Sequence, residues 1–178
     1  FSELSMKDLA TTGGKNASLG EMIGNLSPLG ISVPDGFAVT ADAFWDFMAF
    51  NTACPLIQTA LNRLERSTLS NLSSVAEQSR KIIEQTSFPH DMETAIRKAY
   101  HKLSGGDDHF PVAVRSSATA EDSPTASFAG QHDSFLNVCG ADQVIAAVRR
   151  CYVSLFNDRA IKYRMDHGFM DMQVGMSV

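Results

Sequence analysis

VAVRSSATAEDSPTASFAGQHDSFLNV, residues 112–138, is the stretch around which the rest of the chain is read. It opens on a short apolar run, Val112-Ala113-Val114, that ends in Arg115. A hydroxyl-rich, acidic loop follows over residues 116–127, then a small-residue turn, Phe128-Ala129-Gly130-Gln131. The alternating run Asp133-Ser134-Phe135-Leu136-Asn137-Val138 closes the stretch. This pattern predicts strand, exposed loop, strand. An arginine ending a buried strand, beside free hydroxyls and a glycine, suits an anionic ligand, because guanidinium offers a planar fork of donors that matches phosphate. Gly130 would let backbone N–H groups come close to that ligand. The competing reading is a polar hairpin-like connection with Arg115 in a structural ion pair.

The remaining composition bounds the answer. The 178 residues make about one domain, and 44% hydrophobic with 20% charged residues is ordinary globular composition. A net charge of -5 argues against a general nucleic-acid binder. No apolar run approaches the roughly 20 residues of a membrane span, and the first residues lack the pattern of a secretory leader. Cys54, Cys139 and Cys151 form no metal-binding spacing and are expected as reduced thiols of a cytoplasmic protein. The chain begins at Phe1, and residues 172–178 read as the start of a strand with no partner after it. Both ends lead to the expectation of a piece of a longer chain.

Near the start stands Thr11-Thr12-Gly13-Gly14-Lys15-Asn16-Ala17-Ser18-Leu19-Gly20-Glu21-Met22. The spacing of Leu19, Met22, Ile23 and Leu26 predicts the buried face of a helix. Asn16 or Ser18 is the expected cap, and Pro28 and Gly30 lie past its end. Lys15 therefore sits where a glycine turn meets a helix N-terminus, a place that collects anions. The common P-loop is excluded, since Leu9 and Asn16 occupy the places of its first glycine and its hydroxyl residue. Val33-Pro34-Asp35-Gly36 predicts a turn and Phe37-Ala38-Val39 a short strand. Thr40 caps a helix over 41–50 whose Phe44, Trp45, Phe47 and Met48 are assigned to the core. Residues 55–103 predict three further helices, with Pro89 in the first turn of the third. A long helix with Val144, Val148, Cys151 and Leu155 on its buried stripe follows Gly140. Another runs over 158–166, capped by Asn157 and ended by Gly168. Arg149, Arg150, Arg159, Lys162 and Arg164 are read as helix-surface charges before an anion site.

Four segments now combine: GGKNASLGEM, VPDGFAVTADAF, VAVRSSATAEDSPTASFAGQ and SLFNDRAIKYR. In this order they closely resemble the N-terminal part of the phosphoenolpyruvate synthase (pyruvate, water dikinase) family. Its wider group includes pyruvate phosphate dikinase and the rifamycin phosphotransferases. The resemblance implies that residues 1–178 form the N-terminal part of an ATP-grasp nucleotide-binding domain, incomplete at its C-terminal side. The expected fold is α+β, with a small, largely antiparallel sheet and packed helices. By resemblance, Lys15 and Arg115 contact ATP phosphates, and residues 127–131, with Gly130 and Gln131, form the mobile loop over the nucleotide. Ser116, Ser117 and Thr119 would add neutral hydrogen bonds, although such hydroxyls often cap turns instead.

The resemblance also implies a reaction in relays. ATP charges a histidine on a swivelling domain, water removes one phosphate, and the other passes to pyruvate in a barrel domain. The products are phosphoenolpyruvate, AMP and phosphate. That histidine is expected outside this chain, because His90, His101, His109, His132 and His167 lack its flanking residues. Magnesium ligands are expected outside it too, with Glu121 and Asp122 assigned structural roles. This region alone is then inactive, its partners being ATP and the two further domains of its own chain. Uncovered apolar surface would favour a homo-oligomer. The alternatives are the ATP-binding part of a rifamycin-type antibiotic phosphotransferase and a non-catalytic nucleotide-binding module.

Overall fold

The helical half of the sequence folds where its apolar spacing places it. A computed structural model describes residues 1–50, 52–119, 133–168 and 174–178, with the backbone alone at 122–123 and 126–127. Helices α1 (Leu9–Leu26), α2 (Ala41–Phe50), α3 (Ala53–Leu61), α4 (Leu72–Gln85), α5 (His90–Ser104), α6 (Ala141–Ser154) and α7 (Asp158–Asp166) are found in it. The Thr40 hydroxyl accepts the Ala43 N–H at 3.3 Å and so caps α2. Gly105, in left-handed conformation, ends α5. The expected α+β class holds.

The first helix departs from its reading. Gly13, with φ 71° and ψ 167°, breaks α1 near its start. The buried face is not Leu19, Met22, Ile23 and Leu26. It is Thr12, Gly13, Gly14, Asn16, Ala17 and Gly20, while Met22 is exposed. Small residues are selected there because backbone comes close: a Cβ on Gly20 would stand 2.3 Å from the Leu4 carbonyl oxygen. Asn16 lies inside the helix and does not cap it. Its amide donates to the Thr12 carbonyl and the Ser177 hydroxyl, each at 3.0 Å.

The strands are shorter than expected and form three antiparallel pairs among the described residues. β1 (Val112–Arg115) pairs with β5 (Ser134–Val138), with Val114 opposite Phe135 and Arg115 opposite Ser134. β2 (Ser117–Ala118) pairs with β6 (Met176–Ser177), and β3 (Asp122–Ser123) with β4 (Ala126–Ser127). The segment near residue 178 therefore finds its partner earlier in the chain. The expected strand at 37–39 is reduced to Val39, which exchanges two backbone hydrogen bonds with Val178. β1 is not the buried strand expected either. Val114 alone is buried in it, because among the described residues β1 pairs only with β5 and packs on α6.

The core gathers around α6, which packs on α4, α5, β1 and β5. Phe44, Phe47 and Met48 are buried there as expected, and Phe44, Phe47 and Phe88 surround the Tyr152 ring at centroid distances of 4.9 to 6.2 Å. Two fully buried tyrosines differ in their hydroxyls. That of Tyr100 donates to the Phe110 carbonyl and accepts the Gly140 N–H, both at 2.8 Å. That of Tyr152 finds no partner among the described residues, and burial pushes its pKa up. Tyr100→Phe should therefore cost about 1 kcal/mol by removing two hydrogen bonds and leaving the part-buried Gly140 N–H unpaired, whereas Tyr152→Phe should be neutral or stabilising. Denaturant titration of both variants checks the contrast, and equal losses would contradict it.

Candidate phosphate-binding site

The break at Gly13 turns the GGK segment toward β2. The Lys15 N–H donates to the Ser117 hydroxyl at 3.2 Å, and the Lys15 Nζ donates to the Ser116 carbonyl at 3.1 Å. Lys15 and Arg115, far apart in sequence, are thus anchored on neighbouring backbone. The Arg115 side chain is exposed and forms no ion pair among the described residues, so the structural ion pair is not found there. One cation is held by the protein and the other faces solvent. Two cations on adjoining backbone are the electrostatic arrangement that a polyanion requires.

The hydroxyls of Ser116, Ser117 and Thr119 each have a partner within the protein. Ser116 is buried and donates to the Asp133 carbonyl at 3.2 Å. Thr119 directs its N–H to the Gly175 carbonyl at 3.1 Å and its hydroxyl to the same oxygen at 3.4 Å. A hydroxyl has one proton, and phosphate oxygens only accept. In this arrangement Ser116 and Thr119 hold the loop. Ser117 is fully buried. Gly130 and Gln131, with the rest of the proposed closing loop beyond Ser127, lie outside the described residues, as does the Glu121 side chain.

Burial pushes the Cys151 thiol up to about 12, with Asp133 adding to the rise and Arg150 and Lys15 opposing it. Asp133 in turn holds Arg159 at 2.9 Å. The basic cluster proves structural. Arg149 donates to the Glu84 and Thr86 carbonyls, Arg150 lies over the Phe135 ring at 4.1 Å, and Lys162 pairs with Asp166. Arg164 is not a surface charge: it is buried and donates to the Leu155 carbonyl. Sequence periodicity misses it because arginine on a buried stripe is satisfied by a helix-end carbonyl that only the fold brings near.

A cavity of about 860 Å³ lies between residues 37–40, α2 and α5, and is lined by neither Lys15 nor Arg115. Among the described residues no three His, Cys, Asp or Glu side chains are gathered to hold a metal ion, and no helix is long and apolar enough to cross a membrane.

The geometry defines a domain that presents a glycine-turn lysine and a strand-end arginine on adjoining backbone. Residues 9–178 match the family described as pyruvate phosphate dikinase, AMP/ATP-binding domain, and the chain belongs to that family. Among similar proteins, the phosphoenolpyruvate synthase of Escherichia coli (strain K12) is 49% identical over 99% of this chain and 22% of its own length. That of Aquifex aeolicus (strain VF5) is 47% identical over 99% of this chain and 21% of its own. That of Pseudomonas aeruginosa (strain UCBPP-PA14) is 47% identical over 98% and 22%. The chain thus spans about a fifth of the length of the curated relatives it matches.

Proposed function

We propose that this chain is the first part of the ATP-grasp domain of a cytoplasmic phosphoenolpyruvate synthase, and that Lys15 and Arg115 bind the phosphates of its ATP. The observation that carries the reading is the Lys15 Nζ on the Ser116 carbonyl, next to Arg115, in a chain of this family. ATP phosphates carry charge that must be neutralised before they can be transferred. A positioned ammonium and a guanidinium fork supply that, and hold the terminal phosphates in line with an acceptor. Arg115, exposed and without an ion pair among the described residues, can form a bidentate contact, whereas Lys15 acts as a point charge. Gly130 and Gln131 belong to the loop that closes over the nucleotide. Ser116 and Thr119 contribute by fixing the backbone that carries Arg115.

The acceptor is a histidine elsewhere in the full-length chain, and magnesium is held by residues outside 1–178. The test is product analysis with the full-length protein, ATP and pyruvate. Formation of phosphoenolpyruvate with one AMP and one phosphate per ATP is expected. Absence of phosphoenolpyruvate, with rifamycin phosphorylated instead, would replace this reading with the antibiotic phosphotransferase.

A further inference from the structure

We propose that Ser117 is a positioning residue for the phosphate site, acting through Lys15 and not on the nucleotide. The inference rests on the proposed role of Lys15 and goes beyond it by naming what sets that lysine in place.

Lys15 is clamped at both ends by one dipeptide. Its main-chain N–H donates to the Ser117 hydroxyl at 3.2 Å and its Nζ to the Ser116 carbonyl at 3.1 Å. Ser117 also fills the space left by Gly13: a Cβ there would stand 2.3 Å from the Ser117 hydroxyl oxygen and 2.5 Å from its carbonyl oxygen. Serine and turn are fitted to each other, and Ser117 is 0% exposed, so it offers nothing to a ligand directly.

The β2–β6 pair supplies a second anchor. Ser117 lies opposite Ser177, and paired residues of an antiparallel ladder put their side chains on one face. Ser177, also 0% exposed, accepts the Asn16 amide at 3.0 Å and donates to the Val39 carbonyl at 2.8 Å. Asn16 donates back to the Thr12 carbonyl at 3.0 Å. Two buried serines on one ladder therefore grip the turn on both sides of Lys15, so the ammonium is held before ATP arrives. Preorganisation of this kind lowers the ordering cost of binding.

The test is a double-mutant cycle in the full-length protein, with ATP and AMP affinities measured for wild type, Lys15→Ala, Ser117→Ala and the double variant. Ser117→Ala should weaken ATP about fivefold, the worth of one hydrogen bond, and AMP by less, since AMP carries one phosphate. In the Lys15→Ala background the same substitution should have no further effect on ATP. Ser117→Cys keeps the shape with a weak acceptor and should give the same pattern if Ser117→Ala folds poorly. Equal losses for ATP and AMP, or the same ATP loss in both backgrounds, would overturn the inference and leave the phosphate site standing. An unchanged ATP affinity in Lys15→Ala alone would overturn the phosphate site itself, and the inference with it.

Discussion

Gly13→Ala is expected to destabilise the domain by about 3 kcal/mol or more, the sum of backbone strain and overpacking. Its φ of 71° with ψ 167° falls in a region that only glycine occupies at little cost. The added methyl would also meet the Ser117 carbonyl at 2.5 Å, and that atom is backbone inside the β2–β6 ladder. A side chain could swing away; this oxygen can do so only by breaking the ladder. Gly30→Ala is the control. It has a positive φ of 79° but open space around the Cβ position, so its cost should stay near the strain alone, about 1–2 kcal/mol. Denaturant unfolding of the two variants measures the difference. A Gly13→Ala variant no less stable than Gly30→Ala would mean that the turn does not dock on β2 as described.

Arg115→Ala should have the opposite profile, with a small effect on stability and a large one on ATP. Its side chain is exposed and makes no ion pair among the described residues, so its loss should change folding by less than about 0.5 kcal/mol. Hydrogen bonds to charged groups are worth about 1.5–3 kcal/mol, so ATP use by the full-length enzyme should fall about 10- to 150-fold. Arg115→Lys should recover part of this, since ammonium restores charge without the fork. Unchanged ATP kinetics, or a fall in activity matched by a fall in stability, would remove Arg115 from the site.

The two variants separate what the sequence made legible from what it did not. The bounds of α2 and α7 could be read directly, because Thr40 and Gly168 punctuate apolar runs of helical period; Asn157 stands at the N-cap of α7 but, among the described residues, makes no capping hydrogen bond. The buried face of α1 could not. Leucine spacing points to Leu19 and Met22, but the close approach of Leu4 and β2 favours glycines and alanine, a tertiary requirement without a period. β2 and β6 are two residues each, too short for alternation, and they pair across a long stretch of sequence. For the same reason the strand expected at 37–39 could not be told from an extended segment holding one bonded residue.

At the site, Lys15 and Arg115 were each legible as cations in phosphate-like settings, and the resemblance joined them. The hydrogen bond from the Lys15 Nζ to the Ser116 carbonyl, one residue after Arg115, needed the fold. The hydroxyls were the harder part. Serines and threonines in a polar loop look available in sequence, yet Ser116 and Thr119 spend their protons on the carbonyls of Asp133 and Gly175. Those carbonyls belong to residues whose nearness no local pattern announces.

The most direct test of the central claim is calorimetric titration of the full-length protein with Mg-ATP, wild type beside Lys15→Ala. Saturable binding that the substitution weakens about tenfold or more, with folding unchanged, is the expected result. Equal affinity in the two proteins would contradict the account, since the ATP phosphates would then lie somewhere other than on the turn that Gly13 and Ser117 hold in place.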